Sequence, residues 1–424
     1  MTTGRAALAQ ACQAVYREAL AACSAERLVA AALRERRPDG PVRLLALGKA
    51  AAPMLSAALP ALGDLARDPL CLLPDGEPPP PGVRAVHGTH PRPSPASLAA
   101  GLEALAWAGR GGGQPALVLL SGGASALAVA PVEGVPFEDK VAAAARLMAA
   151  GVTIQELNAC RKHLSRLKGG RLALALGGPV AVLVLSDVPG DDLSAIGSGP
   201  LVPDPTTYQD VLAVARRASV EADLPASVRA HLQAGAAGER PETPKPGDPR
   251  FAGVVHHLLA GPVDLALAAA AAASRLGFAA EADPAPVTGD VAAFADRVAA
   301  WARDRAGRGR RLLAVGGEPT VRVPGAPRPD GGRAQHLALL VARRLEGLPA
   351  AFLAAGSDGR DGPTEQAGAV VDGGSADRAR RLGLDLDRAL AEARSGPAAV
   401  ALGAAIPRFE TGTHLCDLHL LAVE

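Results

Sequence analysis

Near-continuous apolar runs, each followed by a polar or glycine-rich turn, alternate along this chain with Ala/Leu/Arg-rich stretches of helical length. Residues 42–47 (VRLLAL), 116–120 (ALVLL), 180–185 (VAVLVL) and 312–315 (LLAV) are examples. A strand buried on both faces reads as a continuous apolar run, whereas a half-exposed strand alternates. Such strands alternating with helices are the pattern of an α/β protein whose parallel sheet is covered by helices. In open sheets of this kind ligands bind at the carboxyl ends of the strands, so the turns after these runs are where chemistry is sought.

The 424 residues exceed what one hydrophobic core organises, and two large α/β domains are expected. Residues 235–250 (GAAGERPETPKPGDPR) combine proline, glycine and charge in the manner of a linker or long surface loop. They set the expected domains at 1–235 and 251–424. Residues 78–81 and 324–330 read as shorter loops of the same kind. The Ala-rich run 265–273 is helix-compatible and far too short to span a bilayer. Near the N-terminus Arg5, Arg17 and Glu18 interrupt the apolar period, which predicts an amphipathic helix rather than a signal sequence.

Lys plus Arg number 44 against 43 for Asp plus Glu, so no basic field exists to hold a nucleic-acid backbone. Small-molecule partners are expected, with neither nucleic acid nor membrane; a homo-oligomer is compatible with this composition. The five cysteines are scattered and lack CxxC spacing, which fits a reducing cytoplasm better than a disulfide framework or a zinc site. Only five of the 44 basic residues are lysine, and Asn158 is the one asparagine. Where arginine replaces lysine so widely, a surviving lysine marks a place where a compact ammonium is needed, chance placement being the alternative.

Four segments of the first half can carry chemistry. In VRLLALGKAA (42–51) a buried strand runs into Gly48-Lys49 and a helix, which puts an ammonium beside helix N-terminal amides. It is not a Walker A motif, because Arg43 and Ala50 stand where glycine and Ser/Thr are required. In LVLLSGGASA (117–126), Ser121 and Ser125 can cap, and Gly122 and Gly123 let backbone amides approach an anion; an ordinary tight turn explains the segment nearly as well. In TIQELNACRKHLSRLKGGR (153–171), Thr153 and Glu156 have capping-box spacing and Gly169-Gly170 can end the helix. Arg161, Ser165 and Lys168 then share one face, which reads as phosphate binding or as a solvated stripe, with Lys162 beside them and His163 left to packing or capping.

The fourth segment, VAVLVLSDVPGDDLSAIGSGP (180–200), is the most pointed. Asp187 follows a buried strand, Asp191 and Asp192 come one turn later, and a Gly197-Ser198-Gly199 loop lies beyond. Carboxylates so placed hold Mg²⁺ or accept the proton of an attacking hydroxyl; singly, Asp191 or Asp192 could merely cap a turn. In the second half, Glu318 lies in GGEPT (316–320) and Arg333 in GGRAQ (331–335), where a guanidinium can grip a carboxylate or a transferring phosphate. Asp358 and Asp361 form a short acidic loop in AAGSDGRDGPT (354–364), for which an Asp-Gly turn is the plain alternative.

The ordered series LGKA, LLSGGAS, LNACRKHLSRLKGGRLA, LSDVPGDDLSAIGSGP, GGEPTV, GGRAQ and AAGSDGRDGPT resembles the class II glycerate kinases, from about Val42 to the C-terminus. The resemblance implies an N-terminal Rossmann-like domain, a parallel sheet with helices on both faces, and a C-terminal α/β MOFRL domain. It further implies ATP- and Mg²⁺-dependent phosphorylation of D-glycerate to 2-phosphoglycerate in the cleft between them. By motif the family's functional lysine, strand-end aspartate and arginine fall on Lys49, Asp187 and Arg333. On this reading Ser121, Gly122, Gly123, Ser125, Lys168, Gly197, Ser198 and Gly199 serve the nucleotide. Arg161, Lys162, Glu318, Asp358 and Asp361 serve the substrate, and Asp187, Asp191 and Asp192 the metal. Ala334 and His414 stand where the family pattern has asparagine.

Two other readings compete. A hydroxypyruvate reductase should carry GxGxxG after an early strand, and none occurs. A non-catalytic binder of organic acids or nucleotides would not need so many carboxylates beside separated cations.

Overall fold

The computed structural model describes residues 2–323 and 330–424. The expected proline-rich loop at 324–330 therefore falls, but for Asp330, outside the described residues. Twelve strands are present among them: β1 (Val42–Leu47), β2 (Ala66–Pro74), β3 (Arg84–Gly88), β4 (Ala116–Ser121), β5 (Val180–Leu185), β6 (Val254–Ala260), β7 (Ala279–Ala282), β8 (Arg311–Gly317), β9 (Ala350–Gly356), β10 (Gln366–Asp372), β11 (Ala405–Pro407) and β12 (Asp417–Val423). They form two six-stranded sheets, and the apolar runs of β1, β4, β5 and β8 are interior strands, none of them at a sheet edge, as their composition demands.

The chain divides into two compact units. One holds residues 29–185 and 191–259; the other holds the residues up to Leu28, Ser186–Gly190 and Ala260–Glu424. These are not the linear halves 1–235 and 251–424. Residues 235–250 do not behave as a linker, because their polar groups satisfy buried partners in the first of these units. The Thr243 hydroxyl donates to Asp204 at 3.0 Å, and Glu242 accepts the backbone N–H of Tyr208 at 2.9 Å. A buried carboxylate needs such donors, and composition alone does not reveal them.

The first sheet has the order β3-β2-β1-β4-β5-β6, with β1, β2, β3, β4 and β5 paired in parallel. This is the doubly wound order, whose direction reverses between β1 and β4. Helices Phe137–Ala149, Ile154–His163, Tyr208–Arg217 and Ala226–Ala236 of the same unit pack around a core of their own that includes Leu147, Leu157, Tyr208 and Leu232.

The second sheet is mixed, in the order β11-β10-β9-β12-β8-β7; only β7 and β8 are parallel among the pairs, and β12 lies antiparallel between β8 and β9. Helices Val291–Arg305 and Arg333–Arg344 cover one face through Val298, Leu337, Val341 and Phe352. The N-terminal helix Thr2–Ala22 and the Ala-rich helix Pro262–Arg275 pack on the sheet from the other side. Leu8, Cys12, Val15 and Ala19 are buried at helical spacing, and the Tyr16 hydroxyl donates to the Gly356 carbonyl at 2.6 Å. The predicted amphipathic helix thus completes the unit formed by the C-terminal half, because only there does its apolar stripe find a partner.

Candidate active site

In the unit built on the first sheet, the turns after β1 and β4 are stitched together at the point where the strand order reverses. Lys49 N–H donates to the Gly122 carbonyl at 2.9 Å, and the Ala50 N–H donates to the Ser121 hydroxyl at 3.0 Å. Gly48 has φ +128°, and a Cβ there would lie 2.3 Å from the Ser121 hydroxyl oxygen, so no other residue fits. The Lys49 side chain runs over Gly123, where an added Cβ would come within 2.9 Å of Lys49 Cγ. Ser121 is fully buried and holds the Lys49 turn in place.

A second chain of bonds joins three of the expected segments. Ser125 and Ser198 share a hydrogen bond at 2.6 Å, Ser198 donates to Asn158 at 3.2 Å, and Arg161 donates to the same Asn158 oxygen at 3.2 Å. The sole asparagine is therefore the link between a serine loop and an arginine. Gly197, Ser198 and Gly199 all have φ near +60°. Their backbone is committed locally, however: the Ser198 and Gly199 amides donate to Ala195 and Ile196, and their carbonyls accept from Gly169 and Gly170. Those two amides are not available to cradle a phosphate.

The cationic face expected from Arg161, Ser165 and Lys168 does not form, because the helix ends at His163. Its capping box at Thr153 and Glu156 is present. Lys168 lies instead in the interior and donates to the Ala128 carbonyl at 3.1 Å, where burial, with Arg161 nearby, pushes its ammonium down to about 7. Lys162 is paired with the buried Asp204 at 3.3 Å. Both lysines are thus interior structural cations, and of the three expected binding cations Arg161 alone stays partly exposed. His163 packs edge-on against Tyr208 and bonds Ala159 and Glu242, in keeping with a packing role.

The expected acidic series is also sorted by the fold. β5 ends at Leu185, so Asp187 lies two residues beyond it. Asp187 belongs to the unit of the second sheet, and Asp191 and Asp192 to the other. Asp192 accepts from the Ser194 amide and hydroxyl at 2.8 and 3.1 Å, a local turn. Asp191 has φ +55° and carries a buried carboxylate oxygen with no hydrogen-bond partner.

In the second unit the centre is Arg333, first residue of its helix. Its Nε and Nη2 donate to Asp417 at 2.7 and 3.2 Å, and its Nη1 donates to Glu318 at 3.0 Å. Burial works against the charge, but Asp417 and then Glu318 hold the guanidinium above its ordinary pKa range. Burial pushes the Glu318 carboxyl up against the pull of Arg333, and Asp417 and Asp187 add to the push. Beside this cluster His414 stands between two carboxylates, its Nδ1 3.5 Å from Asp187 and its Nε2 3.8 Å from Asp358. The Cys416 thiol donates to the Asp187 carbonyl at 2.8 Å and so fixes that turn. Asp358 also accepts the Arg360 amide at 3.1 Å, the Asp-Gly turn geometry.

Asp361, expected near the substrate, is instead buried beneath the helix start. It accepts the backbone N–H groups of Ala334 and Gln335 at 3.0 and 2.8 Å. Gly332 is glycine because a Cβ there would come within 2.0 Å of the Asp361 carboxyl carbon. Ala334 is fully buried and takes part through its amide. Sequence reasoning missed Asp417 altogether; its one signal was a lone carboxylate opening the apolar run LHLLAV. Among the described residues no group of three or more His, Cys, Asp or Glu side chains is arranged to hold a metal ion by itself.

Comparison with known proteins gives a consistent set of relatives. Residues 11–233 match a domain of unknown function, DUF4147, and residues 311–417 match the MOFRL family. A glycerate 2-kinase of Pyrococcus horikoshii is 35% identical over 80% of this chain and 78% of its own length. An Agrobacterium vitis protein that carries a provisional name of hydroxypyruvate reductase is 34% identical over 100% of this chain and 96% of its own. The crystal structure of glycerate kinase from Thermotoga maritima superposes with a TM-score of 0.86 at 31% identity, covering 99% of this chain and 100% of that one.

Proposed function

Because the chain belongs to the glycerate kinase family and is a kinase, we propose that it transfers the γ-phosphoryl group of ATP to the 2-hydroxyl of D-glycerate, giving 2-phosphoglycerate and ADP. The observation that carries this reading is the Lys49 turn, stitched to Ser121 and Gly122 where the order of the first sheet reverses between β1 and β4. Ligands of open α/β sheets bind at such a point, and a lysine there neutralises phosphoryl oxygens.

Phosphoryl transfer asks little covalent chemistry of a protein; positioning and electrostatics do the work. In this proposal Lys49 meets the nucleotide phosphates, with Gly122, Gly123, Ser125 and Arg161 around them, and Arg333 holds the acid's carboxylate. Asp187 orients the attacking hydroxyl and takes its proton as the new P–O bond forms and the bond to ADP breaks. His414, between Asp187 and Asp358, sets the angle of the Asp187 carboxylate.

Magnesium and nucleotide fit these residues. Mg²⁺ is commonly held by one or two carboxylates together with substrate phosphates, and the unpartnered buried oxygen of Asp191 suits a hard cation. Asp191 is the residue proposed to hold it, while Asp192 is tied to Ser194; a metal role for Asp187 is the alternative to its role as base. The ion would neutralise charge on the phosphates.

The test is ADP release with and without D-glycerate, with phosphorus NMR of the product to locate the phosphate. Glycerate-dependent ADP and a 2-phosphate are expected. NADH or NADPH oxidation with hydroxypyruvate, in the absence of glycerate-dependent ADP release, would replace this reading by the reductase.

A further inference from the structure

The Arg333 guanidinium is engaged on two edges. Its side edge, Nε and Nη2, meets Asp417 at 2.7 and 3.2 Å. Its end edge, Nη1 and Nη2, meets Glu318 at 3.0 and 2.9 Å. The end edge offers two parallel N–H groups, the geometry that grips a carboxylate in a bidentate pair. In this structure the protein's own carboxylate occupies the place where an acid would bind.

An arriving anion cannot simply be added. One guanidinium already faces two carboxylates, with Asp187 near enough to raise Glu318 further. A third carboxylate in the same partly desolvated place would meet net repulsion. One of the two has to leave, and they are held very differently. Asp417 opens β12, hydrogen-bonded to strands on both sides with Gly317 and Gly356 as its register partners, and its side chain is 7% exposed. Glu318 lies just past the end of β8, and its side chain is 37% exposed, so it can turn toward solvent by rotating its own bonds.

We propose that Glu318 is a displaceable occupant of Arg333: the carboxylate of the acceptor acid replaces it on the end edge, while Asp417 stays in place. This rests on the reading of Arg333 as the receptor for that carboxylate. Glu318 is then a determinant of affinity that competes with the substrate rather than a ligand to it. Only the fraction of molecules with Glu318 swung away binds the acid, so the apparent Kd is raised by the reciprocal of that fraction.

Calorimetric titration of D-glycerate into the full chain separates the possibilities. Glu318→Gln keeps the volume and removes the charge, and Glu318→Asp keeps the charge but is one methylene shorter, so from the same backbone position its carboxylate falls short of the end edge. Both are expected to lower Kd, by about three- to tenfold for a contact that closes most molecules. A general repulsion effect would show only in the Gln variant, and that result would overturn displacement. Arg333→Ala is the control and should raise Kd at least about tenfold. Unchanged or weaker binding in both Glu318 variants, with Arg333→Ala also weakened, sinks the displacement while the receptor role stands. Unchanged binding in Arg333→Ala sinks the receptor role itself. If one Glu318 variant folds poorly, the other is read together with its KM for glycerate, which displacement requires to fall.

Discussion

Asp361 Oδ2 accepts the backbone N–H of Gln335 at 2.8 Å, so the helix that opens with Arg333 is capped by a residue from a different loop. The companion bond from Ala334 to Oδ1 makes the cap bidentate. Helix N-terminal amides need such acceptors, and a capping side chain contributes about 1–2 kcal/mol. Asp361→Ala is therefore expected to lower stability by about that amount and to loosen the helix start that aims Arg333. Chemical denaturation beside a kinase assay checks both; unchanged stability would show that water replaces the cap.

Lys49→Ala should cut turnover by on the order of 100-fold or more, since a preorganised charge at a transferring phosphoryl group is worth that much. The fold should persist, because the turn is held by the Lys49 backbone, Gly122 and the Ser121 hydroxyl. Near-normal turnover in the variant removes Lys49 from the mechanism.

Arg333→Lys retains a positive charge but lacks the planar fork that meets Asp417 through Nε and Nη2. Activity is expected to fall at least about tenfold, as for loss of a charged bidentate contact. Full activity would mean that the site requires only a charge.

Asp187→Asn preserves size and removes the carboxylate that faces His414. The Cys416 thiol bonds the Asp187 backbone carbonyl rather than its side chain, so the turn should survive. A large drop in turnover with weakened Mg²⁺ dependence supports the metal role. A drop with unchanged Mg²⁺ affinity supports the base. Wild-type turnover at saturating ATP and glycerate excludes both.

His419 lies in the middle of β12, stacked near Phe352 with Phe294 edge-on, and burial pushes its imidazole down to about 4. An unfolded histidine titrates near 6.5. Between these values the unfolded chain binds the proton and the folded one does not, so stability is lost as pH falls from about 6.5 toward about 4. The loss attributable to this group is up to about 3 kcal/mol. Denaturation curves from pH 7 to 4.5 should show a shallower decline for His419→Gln than for the native chain; identical slopes would show that other groups dominate.

The sequence by itself determined the strands, the turns after them and which residues stand on those turns. Continuous apolar runs such as VRLLAL and ALVLL are buried whatever surrounds them, and Gly48-Lys49 or Ser121-Gly122-Gly123 must then appear at strand ends. Local signals were equally sound: the Thr153–Glu156 box starts a helix. Partnership over long separations was decided only in three dimensions. Lys162 and Lys168 looked like binding cations until the helix stopped at His163 and burial claimed both, one for Asp204 and one for a carbonyl. Asp361 looked like a substrate carboxylate until the amides of residues 334 and 335 came within reach, and Asp417 drew no attention before β12 brought it against Arg333. Spacing fixes what a short segment becomes because its hydrogen bonds close within that segment. A charged side chain's role depends on which distant group satisfies it, and that choice is made when sheets and helices pack.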